Sequence, residues 1–402
     1  MKQLLFEDDA QFWFETQRMF GHISYGGAEF GEVVVTASRI EPGDYDSWHD
    51  AWLSTAERLA GEAATAHPIS ARDAYLRAST YYRAAEFFLH GNPDDPRIDY
   101  AYDRSVECFH RVVESLPGVE PVEIPYDGQV LHGYFYRAPG AGPRPLLVMH
   151  NGFDGSSEEL HFFGAAAGQE RGYHVLAFDG PGQPSAIHHS GLVFRTDWEH
   201  VVGQVLDFAL ADPGVDPAKV ALLGVSMGGV LAPRAAAFEP RLAAVVAVDG
   251  VFDAAGSVVG MLPWDREEIV RRANAAEDPE FDALLAGGKA ENPVLRWATG
   301  HGRYVMGAAT DREFLAKYFE YHLDGGVAER ITCPVLVCEA TDDLFFNGDA
   351  ETPSEPRRLY ERLTGPKTLL SFTTEEGADA HCHVGAQRLA TARIYDWLDD
   401  TL

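Results

Sequence analysis

Gly224-Val225-Ser226-Met227-Gly228 sets a serine between small residues in a G-x-S-x-G pattern. A serine hydroxyl is a weak nucleophile near neutral pH, and it becomes competent when an imidazole takes its proton and a carboxylate orients that imidazole. Both partners are available downstream. Asp342 follows the apolar run Val335–Val337 through Cys338-Glu339-Ala340-Thr341, and His381 follows Leu369–Phe372 through Gly377-Ala378-Asp379-Ala380. We therefore expect Ser226 as nucleophile, His381 as base and Asp342 as the acid. Asp343 is the alternative acid, because one residue of slip at a strand end exchanges the two, and His383 is the alternative base. Acyl chemistry also needs donors for a developing oxyanion. The backbone amide after the serine, Met227, is one. The second is expected from the loop His150-Asn151-Gly152-Phe153-Asp154-Gly155, at the Phe153 amide.

These groups are far apart in sequence, so a scaffold must gather them. Val220–Val225 leads into the serine as a β-rich run, and a helix-forming stretch with Ala235, Ala236 and Ala237 leads out. A nucleophile elbow needs that strand, tight turn and helix. Further short apolar runs, Leu146–Met149, His174–Phe178, Leu242–Val248, Val335–Val337 and Leu369–Phe372, are mostly separated by helical composition. That rhythm predicts a buried, mostly parallel sheet wrapped by helices. Ahead of it, Val119–Ile124 and Gln129–Tyr136 alternate around Tyr126-Asp127-Gly128, which predicts a hairpin. From about residue 44 the pattern is helical, with Trp48, Trp52, Leu59 and Ala63 in one stripe and Ile98, Tyr102, Phe109, Val113 and Leu116 in another. Ser70 with Asp73 reads as a capping box opening a helix that runs to about His90. The expected organisation is a helical domain over 1–118 and an α/β core over 119–402, with 253–330 inserted as a helical cap.

The chain carries 62 acidic against 32 basic side chains, a net charge of -30. Such a surface repels nucleic acid and anionic membranes, so neither is expected as a partner. Four cysteines without a CxxC pair do not make a disulfide scaffold, and no stretch reads as a secretory leader or a bilayer span. A cytoplasmic location is the expectation. No HExxH occurs among the 16 histidines, and no metal or other cofactor is expected.

The chain resembles an α/β-hydrolase family with an N-terminal helical domain, the group of dihydroxypseudooxynicotine hydrolase and the fungal hydrolases that shorten polyketide pigment precursors. The likeness is carried by Phe178-Asp179-Gly180-Pro181-Gly182-Gln183, Arg195-Thr196-Asp197-Trp198-Glu199, Gly224–Gly229, Glu239–Ala244, Asp342-Asp343 with Phe345-Phe346, and Gly377-Ala378 with His381-Cys382. In the first domain it runs through Tyr25–Glu32, Ser70-Ala71-Arg72, Tyr81-Tyr82-Arg83 and Asp95-Pro96-Arg97. The resemblance implies an α/β-hydrolase fold whose helical domain covers the mouth of the core, and it places the triad on Ser226, Asp342 and His381. It further implies a bulky acyl-aromatic or polyketide-like small molecule as substrate, cleaved at an ester or at a carbon-carbon bond beside a ketone. Tyr81, Tyr82 and Trp264 are the candidate substrate-binding residues. Gln183 is followed by Pro184 where many relatives carry glycine, and the stretch around Trp264 and Trp297 has no counterpart in the resemblance. A peptidase or acyltransferase using the same triad, and a non-catalytic ligand-binding protein, are the alternatives. A homodimer is compatible with the chain.

Overall fold

The computed structural model describes residues 2–348 and 352–402; Met1 and residues 349–351 lie outside the described residues. One sheet contains β1 (Val119–Tyr126), β2 (Gln129–Tyr136), β3 (Arg144–His150), β4 (His174–Phe178), β5 (Val215–Val225), β6 (Ala244–Val248), β7 (Val335–Ala340) and β8 (Lys367–Phe372), in the order β1-β2-β4-β3-β5-β6-β7-β8. β2 runs antiparallel to β4, and every pairing from β4 through β8 is parallel. β4 and β6 are buried along their whole length. A strand covered on both faces has no use for alternation, which is why β6 is continuous Ala and Val and β4 runs Val-Leu-Ala-Phe after His174. Because β3, β5, β6, β7 and β8 share one direction, the loops after them all start at the same edge of the sheet, where open α/β sheets hold their ligands. The mostly parallel sheet wrapped by helices is thus as expected, although β5 starts five residues before the apolar run and β7 continues through Ala340.

Two compact units emerge, Pro121–Asp278 with Arg312–Leu402, and Lys2–Glu120 with Pro279–Asp311. The interval expected as one cap is therefore divided, its middle portion belonging with the N-terminal helices. Aromatic packing explains this: in the helix Pro293–Val305, Trp297 stacks on Phe87 at 5.2 Å between centroids, and His301 lies 4.9 Å from His90.

The helical unit contains α1 (Ala10–His22), α2 (Phe30–Ala37), α3 (Tyr45–Ala63), α4 (Pro68–Glu86) and α5 (Pro96–Val113). Asp9, Asp44 and Asp95 accept hydrogen bonds from the first-turn amides of α1, α3 and α5, supplying partners that a helix start otherwise lacks. α4 departs from the expected capping box. It starts three residues earlier, at Pro68 after the N-cap His67, Pro68's fixed φ suiting the first helical position, and Asp73 binds Arg72 instead. α1 lies outside the expected helical pattern because it is buried nearly all round and mixes Phe12, Trp13, Phe14 and Met19 with buried polar residues, leaving no single apolar stripe; Glu15 meets Arg18 and Arg83 at 3.5 Å each, inside the unit.

Candidate active site

β5 ends at Val225, and the helix Gly228–Ala236 begins three residues on. Between them Ser226 adopts φ +60°, a conformation that an L-residue holds only under constraint from its surroundings. Its N–H donates to the Val248 carbonyl, and its own carbonyl accepts from Gly229 N–H at 2.7 Å. A side chain at Gly224 would fall on the Gly228 carbonyl, so the turn is this tight only with glycine there.

Ser226 Oγ lies 2.8 Å from His381 Nε2, and His381 Nδ1 lies 2.8 Å from Asp343 Oδ2. The acid in contact is thus Asp343 and not Asp342. After β7, Thr341 and Asp342 continue toward the loop after β8 through backbone bonds to Phe372 and Asp379, leaving both side chains exposed. The chain then turns, and Asp343 points inward. Its Oδ1 accepts from the Phe345 and Phe346 amides at 2.7 and 3.0 Å, which leaves Oδ2 for the imidazole. His381 makes the serine contact. His383, the other candidate base, is fully buried and lies under the Phe372 ring, 3.8 Å between centroids.

Burial by itself would raise the Asp343 pKa, but the charge of His381 and the hydrogen bonds to His381 and Asp249 hold it below the ordinary carboxylate value. Burial likewise opposes an imidazolium at 381. The neighbouring Asp343 and Cys382, with hydrogen bonds to Asp249 and Asp343, outweigh it and lift His381 well above the usual histidine value.

A second carboxylate, unforeseen in the sequence, reaches the same imidazole. Asp249 follows β6 and is fully buried; its Oδ2 accepts from Cys382 N–H at 2.8 Å and lies 3.3 Å from His381 Nδ1. Burial, then the charge of Asp343, pushes the Asp249 carboxyl upward. Asp249, His381 and Cys382 bring one potential metal ligand each within 4.8 Å of one another. They present no common face to an ion, because Asp249 approaches Nδ1 while Cys382 Sγ approaches Nε2, at 3.3 Å.

Around the elbow, the loop after β3 closes against the turn. A Cβ on Gly152 would fall on the Met227 amide nitrogen and 2.6 Å from the Val225 carbonyl oxygen, so the two loops meet through backbone alone. Gln183 holds this loop from behind: its Nε2 donates to the carbonyls of Asn151 and, at 3.4 Å, Gly152, while its Oε1 accepts from Gly180 N–H at 2.7 Å. In the sequence Gln183 stands out only at the end of a stretch that carries the family resemblance, and nothing in its residue type signals this support. His150 completes the backing. Burial lowers its pKa to about 4, its Nδ1 faces the Asn151 carbonyl at 2.8 Å, and its Nε2 accepts from Trp198 at 3.2 Å.

Aromatic rings line this edge of the core. Phe345 and Phe346 approach His381 edge-on, and Phe153 has Phe194, Phe314 and Tyr318 around its ring, within 6.4 Å between centroids. Of the residues expected to bind substrate, Tyr81 and Tyr82 belong to the helical unit and Trp264 to the α/β unit. Tyr81 is fully buried in the helical unit, beside Trp52, its hydroxyl accepting from Glu29 N–H and donating to Glu32. Tyr82 is buried as well, beneath the Arg104 guanidinium. α4 turns both rings into the interior of the helical unit. Trp264 is half-buried and carries Arg272 over its ring at 3.8 Å.

Comparison with known proteins identifies the family of the fold. The alpha/beta hydrolase family pattern matches residues 138–394. The chain is 36% identical to the 20-hydroxy-prefusarin hydrolase FUS2 of Gibberella moniliformis, over 97% of this chain and 96% of that protein. It is 37% identical to the hydrolase LUC6 of a Fusarium species, over the same shares. Among solved structures, 2,6-dihydroxy-pseudo-oxynicotine hydrolase superposes with a TM-score of 0.71 at 23% identity, over 95% of each chain. Among the described residues, no helix is long and apolar enough to cross a membrane.

Proposed function

From its membership of the alpha/beta hydrolase family we propose that this chain is a serine hydrolase that attacks a carbonyl of a bulky acyl-aromatic or polyketide-like small molecule. The single observation that carries the reading is the continuous contact from Ser226 Oγ through His381 to Asp343, at 2.8 Å in each step.

In this mechanism neutral His381 accepts the Ser226 proton at Nε2 while its Nδ1–H donates to ionised Asp343, and the serine oxygen adds to the substrate carbonyl. The amides of Met227 and Phe153 receive the oxyanion, a contribution worth about 3 kcal/mol per donor in related chemistry. Collapse of the tetrahedral adduct expels the leaving group, which takes the proton from His381 Nε2. For an ester that group leaves as an alcohol. For a carbon-carbon bond beside a ketone it leaves as an enolate protonated at carbon, the harder step, since the carbanion must be stabilised before the proton arrives. Water then attacks the acyl-serine with His381 again as base. The aromatic lining around Phe153 and Phe345 favours a flat, apolar acyl group over a peptide, which needs polar backbone partners.

Fluorophosphonate labelling with Ser226→Ala as control, followed by incubation with aryl esters and with β-diketones and identification of the products, tests the reading. Label on Ser226 and products of either class support it. An unlabelled, folded parent protein refutes it, and release of amines from peptides would move the assignment to a peptidase.

A further inference from the structure

Asp249 Oδ1 and His383 Nε2 are both buried without another polar partner among the described residues, and they face each other at 3.3 Å. The other nitrogen of His383, Nδ1, faces the Ala378 carbonyl at 3.3 Å, so it carries a proton and donates. In a neutral ring Nε2 is then an acceptor. Two acceptors in contact, sealed from water, each leave a polar atom unsatisfied at a cost of about 1–3 kcal/mol. One proton placed between them removes both costs.

We propose that Asp249 is a positioning residue of the hydrolytic centre: a carboxyl that shares one proton with His383, anchors the His381 segment through the Cys382 amide, and stands as a second acceptor for His381 Nδ1. The inference rests on the reading of Ser226, His381 and Asp343 as the reacting relay. Asp249 Oδ2 accepts from Cys382 N–H and lies 3.3 Å from His381 Nδ1. Cys382 and His383 both have positive φ, 53° and 57°. A segment held in that region needs external bonds to keep its shape, and Asp249 supplies one of them. The groups facing Asp249 are His381, Cys382 and His383 from the loop after β8, Asp343 from the loop after β7, and Cys338 on β7. Burial pushes the Asp249 carboxyl up and the His383 imidazole down, to about 3, so the shared proton resides on the carboxyl. A neutral Asp249 leaves the imidazolium at 381 facing one negative charge. Two would hold its proton more tightly and remove the base.

The test compares Asp249→Asn, Asp343→Asn and the double variant by kcat/KM across pH, with Ser226→Ala as reference. Asparagine reproduces a neutral carboxyl: its amide donates to His383 and its oxygen accepts from Cys382. D249N should lower kcat/KM by about three- to tenfold at neutral pH, through a less firmly held His381 segment, and simplify the pH profile to one ionisation. D343N should lose about 10²-fold, less than the ~10⁴ of a triad with a single acid, because removing the Asp343 charge that raises the Asp249 carboxyl lets Asp249 ionise and orient His381 in its place; the double variant, which has no carboxylate left to do so, should fall at least about tenfold further. A double variant equal to D343N overturns the proposal, as does a D249N profile superimposable on the parent. If D249N does not fold, His383→Gln replaces it: the new donor favours ionised Asp249, so the acid limb should move to higher pH, and an unmoved limb overturns the proposal. Activity retained by Ser226→Ala would instead sink the serine reading itself, a separate outcome.

Discussion

Asp343 Oδ2 stands 2.8 Å from His381 Nδ1, and Asp343 is buried, while Asp342, its immediate neighbour, is exposed. The two aspartates therefore differ sharply in consequence. Asp342→Asn should leave kcat/KM within about twofold and the melting temperature unchanged, as for surface substitutions. Asp343→Asn should lower kcat/KM by about 10²-fold or more, because an asparagine favours the wrong imidazole tautomer. Steady-state kinetics of the two variants on one substrate decide this, and equal effects would contradict it.

The environment of His381 sets the sign of the pH response. The base must be neutral to accept the Ser226 proton, and its pKa is raised, so kcat/KM should climb with pH through a midpoint above about 6.5. Stability runs the other way: a native pKa above the unfolded one adds stability that is complete below the unfolded value and fades as pH rises through the native value. Asp343, with a lowered pKa, adds stability above the unfolded carboxylate value that is lost as pH falls through its native value. A pH profile of kcat/KM beside thermal melts over the same range checks both slopes. An activity plateau already reached at pH 6 would refute the first.

Local patterns explain how far the fold and the site could be read in advance. The elbow was legible because a continuous apolar strand, a serine between glycines and an alanine-rich helix are adjacent in sequence, as were the sheet strands with their Val and Leu runs. The choice between Asp342 and Asp343 depended on where β7 stops, and no residue type marks Ala340 as its end. Asp249 was hidden for another reason: Asp249-Gly250 after an apolar strand has the composition of an ordinary turn, and only the fold brings it to His381. The same holds for Pro279–Asp311, whose attachment to the helical unit rests on contacts such as Trp297 with Phe87, made over two hundred residues apart in the chain.

Gly152 should not tolerate even one added carbon. An alanine Cβ would meet the Met227 amide and the Val225 carbonyl, both backbone, so one of the two loops must shift. Since these loops carry the expected oxyanion donors, Gly152→Ala should lower kcat by about 10²-fold, on the scale of losing one donor, with a smaller change in KM. Kinetics with a chromogenic ester would show it, and a wild-type kcat would mean that the donors lie elsewhere.

Gln183→Ala removes one of the two donors to the Asn151 carbonyl, which His150 Nδ1 still meets, and strands the buried Gly180 N–H, a cost of about 1–3 kcal/mol in stability. Because the loop next to it contains Phe153, kcat should drop as well, by about tenfold, through misplacement of the amide. Chemical denaturation and kinetics read the two effects separately. A loss of stability with kcat intact would restrict Gln183 to a structural role.

Tyr81 offers the opposite contrast. Its ring is sealed in the helical unit and its hydroxyl joins Glu29 N–H to the Glu32 carboxylate, which also binds Arg77 at 3.0 Å. Removing that oxygen leaves the Glu29 amide without its partner while the ring continues to fill its place against Trp52. Tyr81→Phe should therefore cost about 1–2 kcal/mol in unfolding free energy, and kcat and KM of the folded variant should match the parent. A raised KM with undiminished stability would instead support Tyr81 as a substrate contact.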